Sequence, residues 1–493
     1  MMKYFKINNI NIFLIVFFCF ILFFPGFTTY FYQDDFIHLS YSQSFRQIVE
    51  SFNILNKASY PYYRPISTQL YFYIGKLIFG FNPLGYHIIN FILFILNIIL
   101  VNRLIKLLTN NHVISLLSCV FFAINSTHIA PLFSAANVQE LFFVLFGLLT
   151  VDNYIRWLKF NKIINYHFSI LFLVFALMSK ETAIILPGIL FITNIYTRKI
   201  NLRKLFKDFI PYLLISFIYL IGHYFYGYPT SPSYKMIIGV KNINILFWYL
   251  LWSLSTPNIL IDFVGPGLKL NHVFLEVAKT NGWTYFIFFP LFVISFIFVL
   301  ISVLLIQIRK NIFTDTKLIV FGILWFIIGL LPLIVFPLHR LATEQSFSLI
   351  GLSLILGLII YKGINNKILL KAISVLSLIV YLIVATNSIY LARRTHWVIN
   401  SAEKAKNVVV FFKNNYSDIP KDTIVYFKNG IVKIPEYGSS RQIYLALGNG
   451  IGLKLILNRQ DLSFFYEDVN PLPENLKESA NVLTLDASTF LGY

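Results

Sequence analysis

The feature that most constrains this chain is a series of apolar runs of membrane-spanning length. They fall at about residues 11–29, 84–101, 113–127, 138–157, 166–181, 182–197, 209–226, 281–306, 318–336, 344–361 and 371–391. A helix of roughly 20 apolar residues crosses the hydrocarbon core of a bilayer. Inside lipid only helices and closed barrels satisfy their own backbone polar groups. Hydrophobic residues make up 57% of the chain and charged ones 12%, with a mean hydropathy of +0.72. A water-soluble chain of this length could not hide so much apolar surface. The expected fold is an all-α polytopic membrane protein of about eleven transmembrane helices.

The net charge of +19 does not point to nucleic acid, because the cations sit between apolar runs rather than on one basic face with stacking aromatics. They lie in short connectors: Arg103 and Lys106; Arg156, Lys159 and Lys162; Arg198, Lys199, Arg203, Lys204 and Lys207; Arg309, Lys310 and Lys317; Lys362, Lys367 and Lys371. With about eleven spans these connectors share one side, which the positive-inside rule makes the cytoplasm. The first run lacks a small-residue cleavage site and reads as a retained helix. Residues 241–257, with Trp248 and Trp252, read as an interfacial or re-entrant helix, since spanning there would reverse the later basic loops. Residues 66–79 are expected on the external surface. Cys19 and Cys119 both fall inside runs and give neither a disulfide framework nor a zinc spacing.

Polar residues with chemical potential then gather on the opposite face, in the loops 30–83 and 227–280, the segment 128–137, the Lys180-Glu181 corner and Pro337 to Thr343. Composition changes at about residue 393. Alternating stretches at 423–427 and 441–445 read as strands, so residues 1–392 are expected to form a membrane domain and 393–493 a small α/β soluble domain on the external side.

Asp34 and Asp35 follow the first run directly. Adjacent residues do not share a face, so one of them is expected to face a given site. An ionised Asp there could take the proton of an attacking hydroxyl; it could equally cap a short helix starting near Phe36, and both hold if one caps and the other reacts. Glu140 sits one turn inside the fourth helix, either facing a water-filled cavity or simply favoured at a helix N-terminus. Arg64, Lys180, His339 and Arg340 are external cations near span ends. Arg suits phosphate through bidentate bonds, whereas snorkelling to the interface is the alternative for any one of them. The glycine-rich segment 448–452 lacks the strand–turn–helix spacing of a nucleotide loop.

Taken in order, these pieces resemble a family. The acidic pair is followed by Tyr63-Arg64-Pro65-Ile66 and by Gly80 to Asn90. Phe121 to Asn125 with His128, Asn137-Val138-Gln139-Glu140-Leu141 and Leu177-Met178-Ser179-Lys180-Glu181 come next. The pattern is similar to the GT-C membrane glycosyltransferases, in the branch of dolichyl-phosphate-mannose-dependent protein O-mannosyltransferases and their bacterial relatives. It covers about residues 10–200, and His339-Arg340 loosely matches a later external Arg motif. The resemblance implies a polyprenyl-phosphate-linked sugar donor, no nucleotide sugar and no obligatory metal, leaving a divalent ion optional. It places Asp34 or Asp35 at the base position and Glu140 at that of a second acid. Val138-Gln139 stand where the family commonly has a basic residue, which leaves the acceptor open.

The expectation is thus a multi-pass membrane glycosyltransferase, in the plasma membrane if the host is a prokaryote, with its active site and C-terminus outside the cytoplasm. It would move mannose or a similar sugar to a hydroxyl of a protein, lipid or glycan acceptor. Asp34, Asp35 and Glu140 would be catalytic, and Arg64, His128, Lys180, Glu181, His339 and Arg340 would bind the carrier phosphate or substrate. The alternative is a transporter or flippase of polyprenyl-linked sugars. That would place ionisable groups or helix breaks near the bilayer midplane, where these runs are apolar.

Overall fold

The computed structural model describes residues 2–55, 62–198, 202–226, 234–265, 269–270, 296, 299, 316–416, 419–430, 438–476 and 481–491. The run at 281–306 apart from 296 and 299, the parts 227–233, 266–268 and 271–280 of the loop 227–280, and Lys199, Arg309 and Lys310 lie outside the described residues. The helices that build the membrane part are α1 (Met2–Phe23), α2 (Gln33–Tyr41), α3 (Pro83–Thr109), α4 (His112–Ala123), α5 (Val138–Phe160), α6 (Ile163–Leu177), α7 (Leu186–Thr197), α8 (Leu202–Tyr226), α9 (Val240–Ser253), α10 (Thr316–Ile334), α11 (Leu349–Ile364) and α12 (Ile368–Thr395).

Among the described residues, six helical segments are long and apolar enough to cross a membrane: Asn11–Thr28, Pro83–Thr109, Val138–Phe160, Leu205–Phe225, Thr316–Ile334 and the stretch that begins at Ile368. A seventh results if α4 and the segment Ser126–Phe133, bent by 53° from it, count as one span. Ile163–Leu177, Glu181–Thr197 and Leu349–Ile364 are apolar but shorter. The chain is an integral, multi-pass membrane protein. The long apolar stretch at 166–197 is cut where Lys180 interrupts it, just before a 3-10 turn at Glu181–Ile185.

Local sequence sets the ends of these helices. Asn82 accepts from the Leu84 amide at 3.1 Å and Pro83 takes the first helical position of α3. That helix closes on Asn110 at φ 51°, and α5 closes the same way on Asn161 at φ 52°. The two helices are tied at both levels. Asn97 donates to the Leu141 carbonyl at 3.0 Å. Near the basic connectors, buried Asp152 takes Arg103 at 2.6 Å and Arg156 at 2.9 Å. Helix α9 is the expected short helix around Trp248 and Trp252, and it packs those rings and Tyr249 against Phe326, Leu330 and Leu333 of α10. The hydroxyl of Tyr381 on α12 lies 2.9 Å from the carbonyls of Phe121 and Ile124, pinning α12 to the end of α4.

The tail contains α13 (Trp397–Asn415), β1 (Ile424–Lys428), α14 (Ser439–Ala446), α15 (Ile451–Ile456), β2 (Ser463–Tyr466) and β3 (Val482–Asp486). Its sheet runs β2–β1–β3, all parallel, with Ile424 opposite Ser463 on one side and Val482 on the other. The strand expected at 423–427 is present as β1. The one expected at 441–445 is instead part of α14. Ser439, Ser440, Ile443 and Ala446 are its buried residues, a spacing of three and four that belongs to a helix. Asp468 holds its N-terminus, accepting from Ser440 Oγ at 2.9 Å and the Arg441 amide at 3.4 Å.

The glycine-rich segment 448–452 joins tail to membrane domain by close approach. Gly448 and Gly450 adopt φ of +58° and +78°, conformations that favour glycine. A Cβ on Gly452 would come within 2.7 Å of the Phe36 ring, so this face of the tail rests on α2, the helix that carries both aspartates. Gly452→Val should destabilise the protein by about 1–3 kcal/mol through overpacking. Thermal unfolding in detergent would show it, and trimming the partner with Phe36→Leu in the same chain should recover part of the loss; an unchanged melting temperature in Gly452→Val would contradict the contact.

Candidate active site

The two aspartates separate by function of geometry. Successive residues on a helix point about 100° apart, and here one turns inward to protein and the other to a cavity. Asp35 is 1% exposed. Its carboxylate accepts from the Tyr32 amide at 3.1 Å, the Ala136 amide at 2.6 Å and the Ser134 hydroxyl at 3.2 Å, so it caps the start of α2 and ties it to the segment before α5. Burial pushes Asp35 up to about 7, against the pull of those hydrogen bonds and with Asp34 adding to the rise. Asp34 instead keeps solvent access through a cavity of about 320 Å³. Protein surrounds that cavity closely enough that burial raises its carboxyl above the usual range, while Arg64 opposes the rise.

Arg64, Glu140, Lys180 and His339 line the same cavity. Arg64 stands just before a π-helical turn at Pro65–Leu70. It meets Glu181 in a bidentate pair, Nε to Oε2 at 2.7 Å and Nη2 to Oε1 at 2.5 Å, donates to Gln139, and lies 4.5 Å from the centre of the Tyr62 ring. Lys180 donates to Glu140 and, at 3.1 Å, to Glu344. His339 Nε2 is 3.4 Å from the same Glu344 oxygen. Burial alone would raise Glu344, but Lys180 and His339 outweigh it and bring the carboxyl down to about 2. Glu140 Oε2 and Glu344 Oε2 have no hydrogen-bond partner among the described residues. Acids outnumber fixed cations around the chamber: Asp34, Glu140 and Glu344 line it with Arg64 and Lys180, and Glu181 reaches Arg64 from beside it.

The remaining expected site residues are placed elsewhere. Glu181 lines a neighbouring groove rather than the polar cavity. His128 is buried between the rings of Phe94 and Phe122, at 4.8 and 5.0 Å, with Nε2 2.7 Å from the Phe122 carbonyl. Arg340 is exposed and does not line the cavity. Among the described residues no group of three or more His, Cys, Asp or Glu is placed to hold a metal ion.

The groove, about 420 Å³, runs between α8 (Tyr219, Leu220) and the end of α10 (Pro332, Leu333). It shares Tyr62, Tyr234, His339 and Glu344 with the polar cavity. The Tyr62 and Tyr234 hydroxyls are 3.4 Å apart, and Tyr234 stacks on His339 at 4.4 Å, so an aromatic partition separates a mostly apolar slot from a charged chamber.

Sequence reasoning missed Glu344, Gln139, Tyr234, His396 and Trp397. Glu344 carried a signal: it is the sole carboxylate between Asp315 and Glu403, and a lone ionisable residue among apolar runs is a site candidate.

A family model for dolichyl-phosphate-mannose-protein mannosyltransferases matches residues 64–225. This stretch holds Arg64, Glu140, Lys180 and Glu181, whereas Asp34 and Asp35 precede it. The resemblance read from the sequence therefore stands on an independent match. Two crystal structures of the Archaeoglobus fulgidus oligosaccharyltransferase are similar to this chain at 11% identity. One, in complex with Zn and sulfate, covers 91% of this chain with a TM-score of 0.43. The other, tethered by a disulfide bond to an acceptor peptide containing the NVT sequon, covers 92% with a TM-score of 0.42. This chain spans 62% and 63% of the length of those archaeal chains. No curated protein matches it.

Proposed function

We propose that this protein is a membrane glycosyltransferase that moves a sugar from a polyprenyl-phosphate carrier to an acceptor hydroxyl at the external membrane surface. Residues 1–392 would form the catalytic unit and 393–493 the tail. The observation that carries this reading is the junction of an apolar groove with a chamber holding a solvent-accessible carboxylate and two buried cations. A polyprenyl chain fits the groove chemically, and its phosphate would then enter the chamber past Tyr62 and Tyr234. Asp34 takes the proton from the acceptor hydroxyl as its oxygen bonds to the anomeric carbon. The bond from that carbon to the phosphate oxygen breaks, and its electron pair leaves with the phosphate. Arg64, Lys180 and His339 are the donors in place to receive that charge. Both fixed cations already hold carboxylates, so the phosphate must share Lys180 or Arg64 with them. Asp35 positions α2, and Glu140 positions Lys180.

The test is to incubate the purified chain in liposomes with polyprenyl-phosphate mannose, glucose and arabinose and to follow release of polyprenyl phosphate. Turnover of one donor well above a protein-free control is expected. Release from none of the three donors would overturn the reading, and donor binding without release would favour transport.

A further inference from the structure

We propose that the wall of the chamber away from the groove binds a neutral pyranose ring, the acceptor sugar of a glycan, against Trp397. The role assigned to this site rests on the transferase reading above; the binding itself does not.

Trp397, the first residue of α13, is 40% exposed although it lines the chamber that holds Asp34. The edge-on contact of its ring with Tyr32 is 5.7 Å between centroids, and His396 lies alongside at 6.0 Å. An indole braced by two neighbouring rings and still 40% exposed can serve as a platform. The apolar C–H face of a pyranose suits it, because polarised C–H groups are attracted to the negative face of an aromatic ring.

A sugar also needs uncharged hydrogen-bonding groups around its rim, and the same wall provides them. The His396 Nδ1 accepts from the Val398 amide at 3.3 Å, which fixes the ring proton on Nε2 and leaves that nitrogen as a donor. Thr127 and Thr343, 1% and 7% exposed, line the chamber, and their hydroxyls have no partner among the described residues. The same is true of the Asn258 side-chain oxygen. A buried polar group left unpaired is costly, so these are groups that a ligand's hydroxyls would satisfy.

Position and charge select the occupant. None of Thr127, Asn258, Thr343, His396 or Trp397 lines the groove, whose shared wall with the chamber is Tyr62, Tyr234, His339 and Glu344. The carrier therefore has its own way in, and the neutral wall is left for the acceptor. A peptide acceptor would call for a row of main-chain partners. This wall offers side-chain hydroxyls and one amide around a single aromatic ring, which matches one sugar ring better.

The experiment uses the full chain in nanodiscs without donor. Methyl α-D-mannopyranoside, methyl β-D-glucopyranoside and a Ser/Thr-rich peptide would be titrated separately and followed by saturation-transfer NMR. At least one glycoside should bind saturably. Trp397→Ala should weaken that binding about ten-fold, the equivalent of one good aromatic contact. Trp397→Phe should restore part of it, which separates loss of the platform from misfolding. The proposal is overturned if neither glycoside binds wild type, if Trp397→Ala binds them equally well, or if only the peptide binds. Trp397-dependent glycoside binding in a protein that turns over no donor would remove the transferase reading and leave the sugar site standing.

Discussion

Asp34→Asn should cut sugar transfer by about 100- to 10,000-fold, the range that a positioned general base contributes, while the protein remains inserted and folded. Asparagine matches aspartate in shape and cannot take a proton from the acceptor hydroxyl. Asp34 faces solvent in the chamber, and the start of α2 is held by its neighbour Asp35 through three hydrogen bonds. The substitution therefore removes chemistry without removing a cap. The same assignment fixes the direction of the pH dependence. A base works when deprotonated, so kcat/KM should fall as the medium is acidified. Because burial raises Asp34, the midpoint of that acid limb should lie above the ordinary carboxylate range. Initial rates measured across pH for wild type, with Asp34→Asn at the plateau, test both statements. Full activity in the variant would end the assignment of the base.

What the sequence made legible follows from the range over which its signals act. The spans are written in runs of apolar residues, and the turn at Lys180 announces itself as a charge inside such a run. The division of labour between Asp34 and Asp35 is also local, since neighbours on a helix must diverge. The partners of the buried cations are not local. Arg64 meets Glu181 across 117 positions and Lys180 meets Glu344 across 164, and only packing decides which carboxylate arrives. His128 illustrates the converse, because its place in a motif hid a structural role between two phenylalanine rings. The tail misled differently. Arg441 to Leu445 reads as a strand from five residues, too short a stretch to separate a strand from a helix whose buried face is Ser440, Ile443 and Ala446. Trp397 gave no signal at all, since a tryptophan after a span reads as an interfacial anchor; its significance depends on the tail folding back over α2.

Lys180→Met should be the most destabilising single substitution in the chamber, by about 3–5 kcal/mol, the usual cost of stranding a buried charge by removing its partner. The lysine is 3% exposed and is the ammonium shared by Glu140 and Glu344. Without it two carboxylates face each other in a site that already holds more acids than fixed cations, with His339 the nearest remaining donor to Glu344. Methionine fills the volume of the lysine stem, so the loss reports the charge and not a cavity. Thermal unfolding in nanodiscs would measure it, and Glu140→Gln added to Lys180→Met should return a substantial part of the stability by removing one stranded acid. A Lys180→Met protein as stable as wild type would mean that the carboxylates are neutral or solvated and that the ionic chain from Glu140 to His339 does not hold the chamber together. The single substitution Glu140→Gln separates structure from function in the same place. It frees Lys180 from one carboxylate, so the protein should bind a polyprenyl-phosphate sugar more tightly than wild type even where transfer slows. The charge that the departing phosphate meets is thus set by how firmly Glu140 and Glu344 hold that one lysine, and the stability of the chamber and its readiness for an anion pull in opposite directions.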